Sequence, residues 1–352
     1  MNVIEIRQWL HDHPQVSGKE ILTHDVIVEH LATLHPTKVY DHVGGYGVIA
    51  VWNGDGDNPY KAVRVDIDAL EIGHRCGHDG HTAVGLRLAE MIDTKGKNVI
   101  IIFQPEEETG YGARKMIESG ILQQYQIKEI YGHHNLPGYP LGMVVMSRDT
   151  FAAASVGVIY HFKGREPHAS TPEKGLNPGM AVAEMIELMN GKNSRQVGVN
   201  EFVQSTLICV RVGAEAFGTS AGEGSVMFTL RAFTNQRMLQ LRSEADRSAQ
   251  AVADKNGLLL EIGERDPFAA TENNGLVVDW QASIFEQAGR RVKFIEEPFR
   301  WSEDFGEYLK MYRGAFFGVG AGENCYELHH PKYNYPDELI ESTAQLFNMI
   351  IN

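Results

Sequence analysis

The densest group of potential metal ligands in the sequence lies at residues 76–81, which read Cys-Gly-His-Asp-Gly-His. Cys76 and His78 are two residues apart, so they can reach the same metal ion, and thiolate and imidazole are both good ligands for zinc-like ions. A histidine-rich turn taken alone can equally be a solvated helix cap. Metal binding is therefore one of two interpretations of this segment, and other motifs must decide between them.

A run of three carboxylates, Glu106, Glu107 and Glu108, follows an apolar segment at residues 99–103. Carboxylates this close raise each other's pKa unless a cation lies between them. A hydrolase that activates water with a metal needs one carboxylate on the metal and a second, free carboxylate that accepts the proton of the water. Adjacent acids can fill both roles, although an acidic turn exposed to water has the same pattern.

Histidines follow two further segments that are predicted as strands. The pairs His133-His134 and His329-His330 each come after a short apolar segment. One such histidine is more often an ordinary surface residue than a ligand. Four strand ends that all carry Cys, His or Glu favour a common site, because open α/β sheets assemble their sites at the carboxyl edge of the strands.

The elements that must position these residues alternate between helix and strand in the first third of the chain. Helical periodicity at residues 3–11 and 21–34 is followed by short β-branched or apolar runs at 62–67 and 98–103. The second of these runs is continuously apolar from Val99 to Phe103, which predicts a strand that is buried on both faces. The pattern indicates an α/β layer.

A second pattern begins near residue 155, where the predicted order becomes strand, helix, strand, strand, helix, strand. This βαββαβ order is that of a compact ferredoxin-like unit with helices on one face of an antiparallel sheet. After Pro267 the α/β pattern returns. The sequence thus predicts one domain formed by residues 1–152 and 267–352, into which residues 153–266 are inserted as a second domain.

Composition excludes several classes of partner. The chain has 352 residues, enough for two packed domains, and its net charge of -14 offers no basic surface to nucleic acid or to an anionic membrane. No segment reaches the apolar length of a membrane span. The 3 cysteines are widely spaced and do not suggest a disulfide framework. We therefore expect a cytoplasmic protein that binds a small-molecule substrate.

Taken together, the motifs resemble the amidohydrolase branch of the aminoacylase and carboxypeptidase metallopeptidases. The resemblance covers nearly the whole chain. It is carried by residues 10–14, 66–70, 76–81, 103–108, 164–169 and 302–305, and by His134 and His329. It implies an α/β fold, in which a di-metal aminopeptidase-like catalytic domain carries the inserted βαββαβ unit as a lid or dimerisation domain. A homodimer is part of that expectation.

The resemblance also implies a role for each site residue. Two divalent metal ions (zinc, manganese or cobalt) are expected on five residues: a bridging Cys76, with His78 and His134 on one ion, and Glu108 and His329 on the other. Glu107 would be the general base and acid. His168, in the inserted domain, would stabilise the oxyanion that forms at the scissile carbonyl.

These roles predict a hydrolase that cleaves the amide bond of N-acyl amino acids or similar small amides with a metal-activated water. A dipeptidase or carboxypeptidase would use the same metals, a non-catalytic relative would only bind them, and a thiol hydrolase would use Cys76 as its nucleophile. Glu107 argues against a purely structural metal site, which does not need it.

The sequence departs from the family pattern where substrate contacts are expected. Residues 71–75 form an unusually short link between the Asp-Ala-Leu and Cys-Gly-His motifs, and Pro172-Glu173 replaces a Pro-His pair. Residues 218–224 replace an Asn-Val-Ile-Pro segment. The residues that bind a substrate carboxylate in the family therefore cannot be assigned to positions of this sequence. Arg231 is a candidate for binding such a carboxylate.

Overall fold

The computed structural model of the protein describes residues 1–54, 58–92, 97–193 and 201–352. Over these residues the chain divides into two compact units. Unit 1 comprises Met1–Phe151, Thr271–Glu297 and Glu303–Asn352, and unit 2 comprises Ala152–Ala270 and Pro298–Ser302. The role of the second unit as a lid or dimerisation domain stays a prediction.

The described residues form nine α-helices: α1 (Val3–Asp12), α2 (Ile21–Ala32), α3 (His78–Met91), α4 (Gly112–Glu118), α5 (Gly179–Asn190), α6 (Asn235–Lys255), α7 (Gly275–Gln287), α8 (Gly306–Leu309) and α9 (Glu338–Ile351). They also form twelve strands: β1 (Lys38–Val43), β2 (Gly47–Trp52), β3 (Tyr60–Asp66), β4 (Val99–Gln104), β5 (Ile127–Pro137), β6 (Val144–Met146), β7 (Ala154–Lys163), β8 (Val203–Val212), β9 (Glu223–Ala232), β10 (Leu259–Phe268), β11 (Val292–Phe294) and β12 (Gly314–Gly322).

Unit 1 is built on a mixed sheet whose described strands lie in the order β1-β2-β4-β3-β5-β12-β6-β11. Strands β4, β3, β5 and β12 run parallel to one another, so their carboxyl ends meet at one edge. Every residue of β4 is buried, as its continuous apolar run predicts. Helix α3 packs against β3 and β4 on one side and against α1 and α9 on the other. The sheet therefore forms the core and presents one edge to a site.

Unit 2 has the predicted βαββαβ order, with β7, α5, β8, β9, α6 and β10 following one another along the chain. The four strands form an antiparallel sheet in the order β10-β7-β9-β8. Buried residues alternate along β7 and β9, so one face of the sheet lies against the helices. Unit 2 has its own apolar core, which includes Tyr160, Phe228 and Leu241.

One helix begins earlier than its sequence pattern predicts. Periodicity places the start near residue 83, whereas α3 begins at His78, so the histidine motif forms its first turns. Gly77 precedes it with φ +102°, and a Cβ atom there would lie 2.7 Å from Oδ1 of Asn135. Glycine at this position therefore lets the helix begin inside the motif.

Polar or very short strands were not predicted. Strand β1 reads Lys-Val-Tyr-Asp-His-Val, with only its last residue buried, and β6 and β11 have three residues each. These strands form because they pair with neighbouring strands. Such pairing leaves no periodic pattern in the sequence of the strand itself, so it could not be predicted from that sequence. Among the described helices, none is long and apolar enough to cross a bilayer.

Candidate active site

The carboxyl edge of the sheet in unit 1 gathers the motifs that the sequence analysis singled out. Asp66 ends β3, Glu107 and Glu108 follow β4, and His134 lies in β5. The start of α3 brings Cys76 and His78 to the same place, because this helix follows β3 and packs back on the sheet. The result is one buried cluster of thiol, imidazole and carboxyl groups.

Potential ligand atoms in this cluster form overlapping groups, in each of which all atoms lie within 4.8 Å of one another. One group is Cys76, His78 and His134, and another is Cys76, Glu108 and His329. All five residues expected as metal ligands are thus brought together, and Cys76 is common to the two groups. The Cys76 sulfur is therefore within 4.8 Å of potential ligand atoms in both groups.

Two polar atoms in the cluster show that the residues fit a cation. Within the described ranges, Nε2 of His78 and Oε1 of Glu108 are buried without a hydrogen-bond partner, and they lie 3.9 Å apart. Leaving such a group unsatisfied costs about 1–3 kcal/mol. A divalent ion between them would offset this cost, and a set of thiolate, imidazole and carboxylate ligands suits zinc-like ions.

The ionisation of these groups is linked to such a cation. Burial, with a contribution from the Glu108 carboxylate, raises the pKa of the Cys76 thiol well above its usual range. Burial also raises the pKa of Glu108 to about 7, and burial together with Glu303 raises the pKa of Glu107. A positive ion favours the charged forms of thiol and carboxyl groups, so metal binding would release protons.

Hydrogen bonds orient the two buried histidines of the cluster. Nδ1 of His78 lies 3.1 Å from the backbone oxygen and 3.2 Å from Oδ1 of Asp68, and both oxygens can accept its proton. Nδ1 of His134 lies 2.9 Å from the backbone oxygen of Asn135, and its Nε2 is 3.5 Å from Sγ of Cys76. Both rings therefore present Nε2 to the cluster, as metal-ligating histidines do.

The neighbours His133 and His330 are not in the two ligand groups that share Cys76. Side chains alternate along β5, so His133 points away from Cys76, and its ring centroid lies 4.5 Å from that of His81 and 5.3 Å from that of Phe347. The ring of His330 stacks on Tyr326 at 4.4 Å. In each histidine pair, one residue, His134 or His329, lies in the cluster. The other residue, His133 or His330, packs against an aromatic ring.

Glu107 lies beside the ligand groups, and its neighbours hold the loop that presents it. Oε2 of Glu107 is 3.9 Å from Nε2 of His78. The buried Glu20 accepts hydrogen bonds at Oε1 from the backbone nitrogen of Glu106 at 3.0 Å and from that of Gly18 at 2.9 Å. The backbone nitrogen of Glu108 donates to Oδ2 of Asp68 at 3.1 Å. The residues on either side of Glu107 are therefore both held in place.

Sequence reasoning missed a buried ionic network next to the cluster. Arg64, which is 1% exposed, donates to Oδ2 of Asp66 and to Oδ1 of Asp304, both at 2.6 Å, and its Nη2 lies 3.0 Å from Oε1 of Glu303. Its Nε donates to Gln104 at 2.9 Å. The available signal was that Arg64 stands between the apolar residues Val63 and Val65 of β3, where an unpaired buried charge would be costly.

The same network reaches the cluster through His81. Its Nδ1 lies 2.6 Å from Oδ1 of Asp66, and its Nε2 faces Oδ1 of Asn135. The amide nitrogen of Asn135 donates to the backbone oxygen of Cys76 at 3.1 Å, which orients the amide. Both ring nitrogens of His81 thus face oxygen atoms, one of Asp66 and one of Asn135.

His168 is exposed in unit 2. It forms an antiparallel bridge with Thr219, and the backbone nitrogen of Ser170 donates to its Nδ1 at 3.1 Å. Because Nδ1 accepts this bond, the neutral ring carries its proton on Nε2. Next to this segment is a cavity of about 670 Å³, whose lining includes Glu166, Thr219 and Arg211.

Site and fold define the class of the protein as a mixed α/β protein with a candidate metal centre at the carboxyl edge of its sheet. Comparison with known proteins places it more narrowly. The chain belongs to peptidase family M20/M25/M40, whose sequence model matches residues 50–352. It is accordingly a hydrolase of amide bonds, as predicted, and the resemblance stated from the motifs is confirmed.

Individual relatives match nearly the full chain. Hippurate hydrolase of Campylobacter jejuni is 25% identical over 362 residues, which cover 97% of this chain and 94% of that protein. An N-acetyldiaminopimelate deacetylase of Streptococcus thermophilus is 28% identical over 366 residues, with 97% and 95% covered. The Bacillus subtilis YxeP protein, a dinuclear metal-binding peptidase of the M20 family, matches in structure with a TM-score of 0.83 and 25% identity, covering 99% of this chain and 96% of that one. These matches confirm the predicted α/β fold class.

Proposed function

We propose that the protein hydrolyses the amide bond of N-acyl amino acids, using two divalent metal ions held by Cys76, His78, His134, Glu108 and His329. The observation that carries the proposal is the pair of ligand groups that share Cys76, with Glu107 next to them. Relatives named for hippurate and for N-acetyldiaminopimelate support an acylated amino acid as the substrate class. Zinc, manganese or cobalt fits a set that includes thiolate and imidazole better than magnesium does.

In this mechanism the residues of the chain position the reactants and move protons. When bound, the metal ions would lower the pKa of the attacking water and polarise the substrate carbonyl. Glu107 accepts the proton of the attacking water and then donates it to the leaving amine, the usual sequence of a general base that becomes a general acid. His168 donates from Nε2 to the carbonyl oxygen as negative charge develops there.

Removal of metal is expected to abolish amide hydrolysis. Protein treated with a chelator should lose activity on N-acetyl and N-benzoyl amino acids, and zinc, manganese or cobalt should restore it. Elemental analysis beside the same turnover assays measures both quantities. An active preparation without any transition metal would contradict the proposal, and faster turnover of dipeptides than of N-acyl amino acids would favour a dipeptidase.

His168→Ala is expected to lower kcat by roughly 100-fold to 1000-fold, the loss seen when one oxyanion donor is removed from an enzyme. Its metal content should stay unchanged, because the residue belongs to unit 2 and the ligands belong to unit 1. His161→Ala, which removes the other histidine of unit 2, is the matched control and should have little effect. Equal turnover numbers for the two variants would remove His168 from the mechanism.

A homodimer formed through unit 2 is the proposed assembly. Strand β8 lies at the edge of the four-stranded sheet, and it exposes Leu207, Ile208 and Val210. An edge strand with apolar side chains can pair with the same strand of a second copy. If His168 acts across such an interface, a mixture of His168→Ala and Glu107→Gln protein should regain part of the activity that each variant lacks.

A further inference from the structure

A second group of potential metal ligands lies in unit 1 outside the candidate active site. It consists of His24 on α2 with Asp41 and His42 on β1, and its ligand atoms all lie within 4.8 Å of one another. It shares no residue with the Cys76 cluster. Two imidazoles and one carboxylate are a ligand set that suits zinc and similar ions rather than magnesium or calcium.

The buried member of this group, His24, has an unsatisfied nitrogen. The residue is 4% exposed, and within the described part of the chain its Nε2 has no hydrogen-bond partner. Its Nδ1 lies 3.0 Å from Oδ1 of Asp25, so Nδ1 donates to that carboxylate and Nε2 keeps a free lone pair. A carboxylate on the far nitrogen is the usual arrangement of a histidine that ligates a metal.

A β-bulge brings the other two side chains to the same side of β1. Tyr40 pairs with Ile49 and Val43 pairs with Gly47, so β1 carries one more residue than β2 between these pairs. Adjacent side chains of a regular strand point to opposite faces. His42 has φ +51°, a left-handed conformation that is uncommon for histidine, and bulges often redirect side chains in this way.

The three side chains would have to move only a short distance to bind one metal ion together. Ligand atoms around a tetrahedral zinc ion are separated by about 3.4 Å, since the bonds are about 2.0–2.1 Å long. The ring of His42 stacks on that of His24 at a centroid distance of 4.2 Å, and it is exposed, so it can rotate to share an ion bound at Nε2 of His24. Asp41 is also exposed and can adjust.

We propose that His24, Asp41 and His42 bind a divalent ion of the zinc class in addition to the ions of the active site. Water would complete the coordination. The ion would link α2 to β1, and α2 begins next to Glu20, which holds the backbone nitrogen of Glu106. Its expected role is therefore to stabilise the part of unit 1 that supports the loop of Glu107, and the proposal does not depend on the substrate.

The test compares zinc content between variants of the untagged full-length protein. Equilibrium dialysis against zinc followed by elemental analysis should show one ion per chain fewer in His42→Asn and in His24→Gln than in the unchanged protein. Asparagine tolerates the left-handed conformation at residue 42 and is a poor metal ligand, so the first variant should fold normally. Asp25→Asn should keep the site but weaken its zinc affinity by roughly 10-fold to 100-fold.

His30→Ala is the matched control, because it removes another histidine from α2 that lies outside the group. Its zinc content should equal that of the unchanged protein. Cys76→Ala should lose zinc from the active site while it retains the ion at His24. The proposal is overturned if His42→Asn and His24→Gln, shown to be folded by circular dichroism, bind as much zinc as His30→Ala does.

Discussion

Glu107→Gln is expected to lower kcat by roughly 100-fold to 10,000-fold, the usual contribution of general acid and base catalysis, while metal content and fold are unchanged. The carboxyl of Glu107 receives a long hydrogen bond from the backbone nitrogen of Asp304 at 3.4 Å. Glutamine has the same size and can accept the same bond. What the variant loses is the ability to take and return a proton.

Glu108→Gln is the matched variant and should fail in a different way. Among the residues that the structure describes, Oε1 of Glu108 has no hydrogen-bond partner, and Glu108 belongs to the group of Cys76 and His329, so it is placed to bind a metal ion. A neutral amide is a poorer ligand for a dication than a carboxylate. Metal affinity should therefore fall, and excess metal should restore part of the activity.

Metal titration with parallel turnover assays separates these two results. If Glu107→Gln is the variant that excess metal rescues, the roles of the neighbouring residues are exchanged. If both variants keep full turnover, the reaction does not take place at this cluster.

Arg64→Met is expected to destabilise the protein by about 3–5 kcal/mol, the usual cost of removing one partner from a buried ion pair. Methionine fills much of the arginine volume, but Asp66, Glu303 and Asp304 then lose the guanidinium that they share. Burial already raises the pKa of Asp304 to about 8, against the opposing effect of Arg64. Urea denaturation of the metal-free protein measures the loss.

Arg87→Met is the control for this prediction. Arg87 pairs with Glu90 at 2.8 Å and with Glu341 at 2.6 Å on a solvent-accessible surface, where ion pairs contribute about 0–1 kcal/mol. Arg64→Lys keeps the charge but not the planar fork, so its stability should fall between those of Arg64→Met and the unchanged protein. Equal losses in Arg64→Met and Arg87→Met would show that the network contributes no more than a surface pair.

Local patterns in the sequence were sufficient to predict the parts of the site in which a secondary-structure element and its reactive residues belong to one segment. The apolar run before Glu106 predicts β4, and the parallel strands beside it explain why Cys76, Glu108 and His134 meet at one edge. The βαββαβ order of unit 2 also follows from periodicity alone.

Features that depend on distant pairing could not be predicted in this way. Arg64 and Asp304 are 240 positions apart in the sequence, and nothing near either residue indicates the other. The bulge that redirects His42 arises from the register between β1 and β2, which periodicity within β1 does not contain. His133 and His134 are chemically identical, and only the pleat of β5 decides which one faces Cys76.

The position of β12 in the sheet has a consequence for synthesis on the ribosome. This strand lies between β5 and β6, yet all of unit 2 is translated before it. At roughly 5 to 20 residues per second, the chain between β6 and β12 takes about 8 to 35 seconds to make, and during this time one edge of β5 lacks its partner. Unit 2 can fold meanwhile around its own core. His329 follows β12, so the candidate site is completed only after this strand has been made.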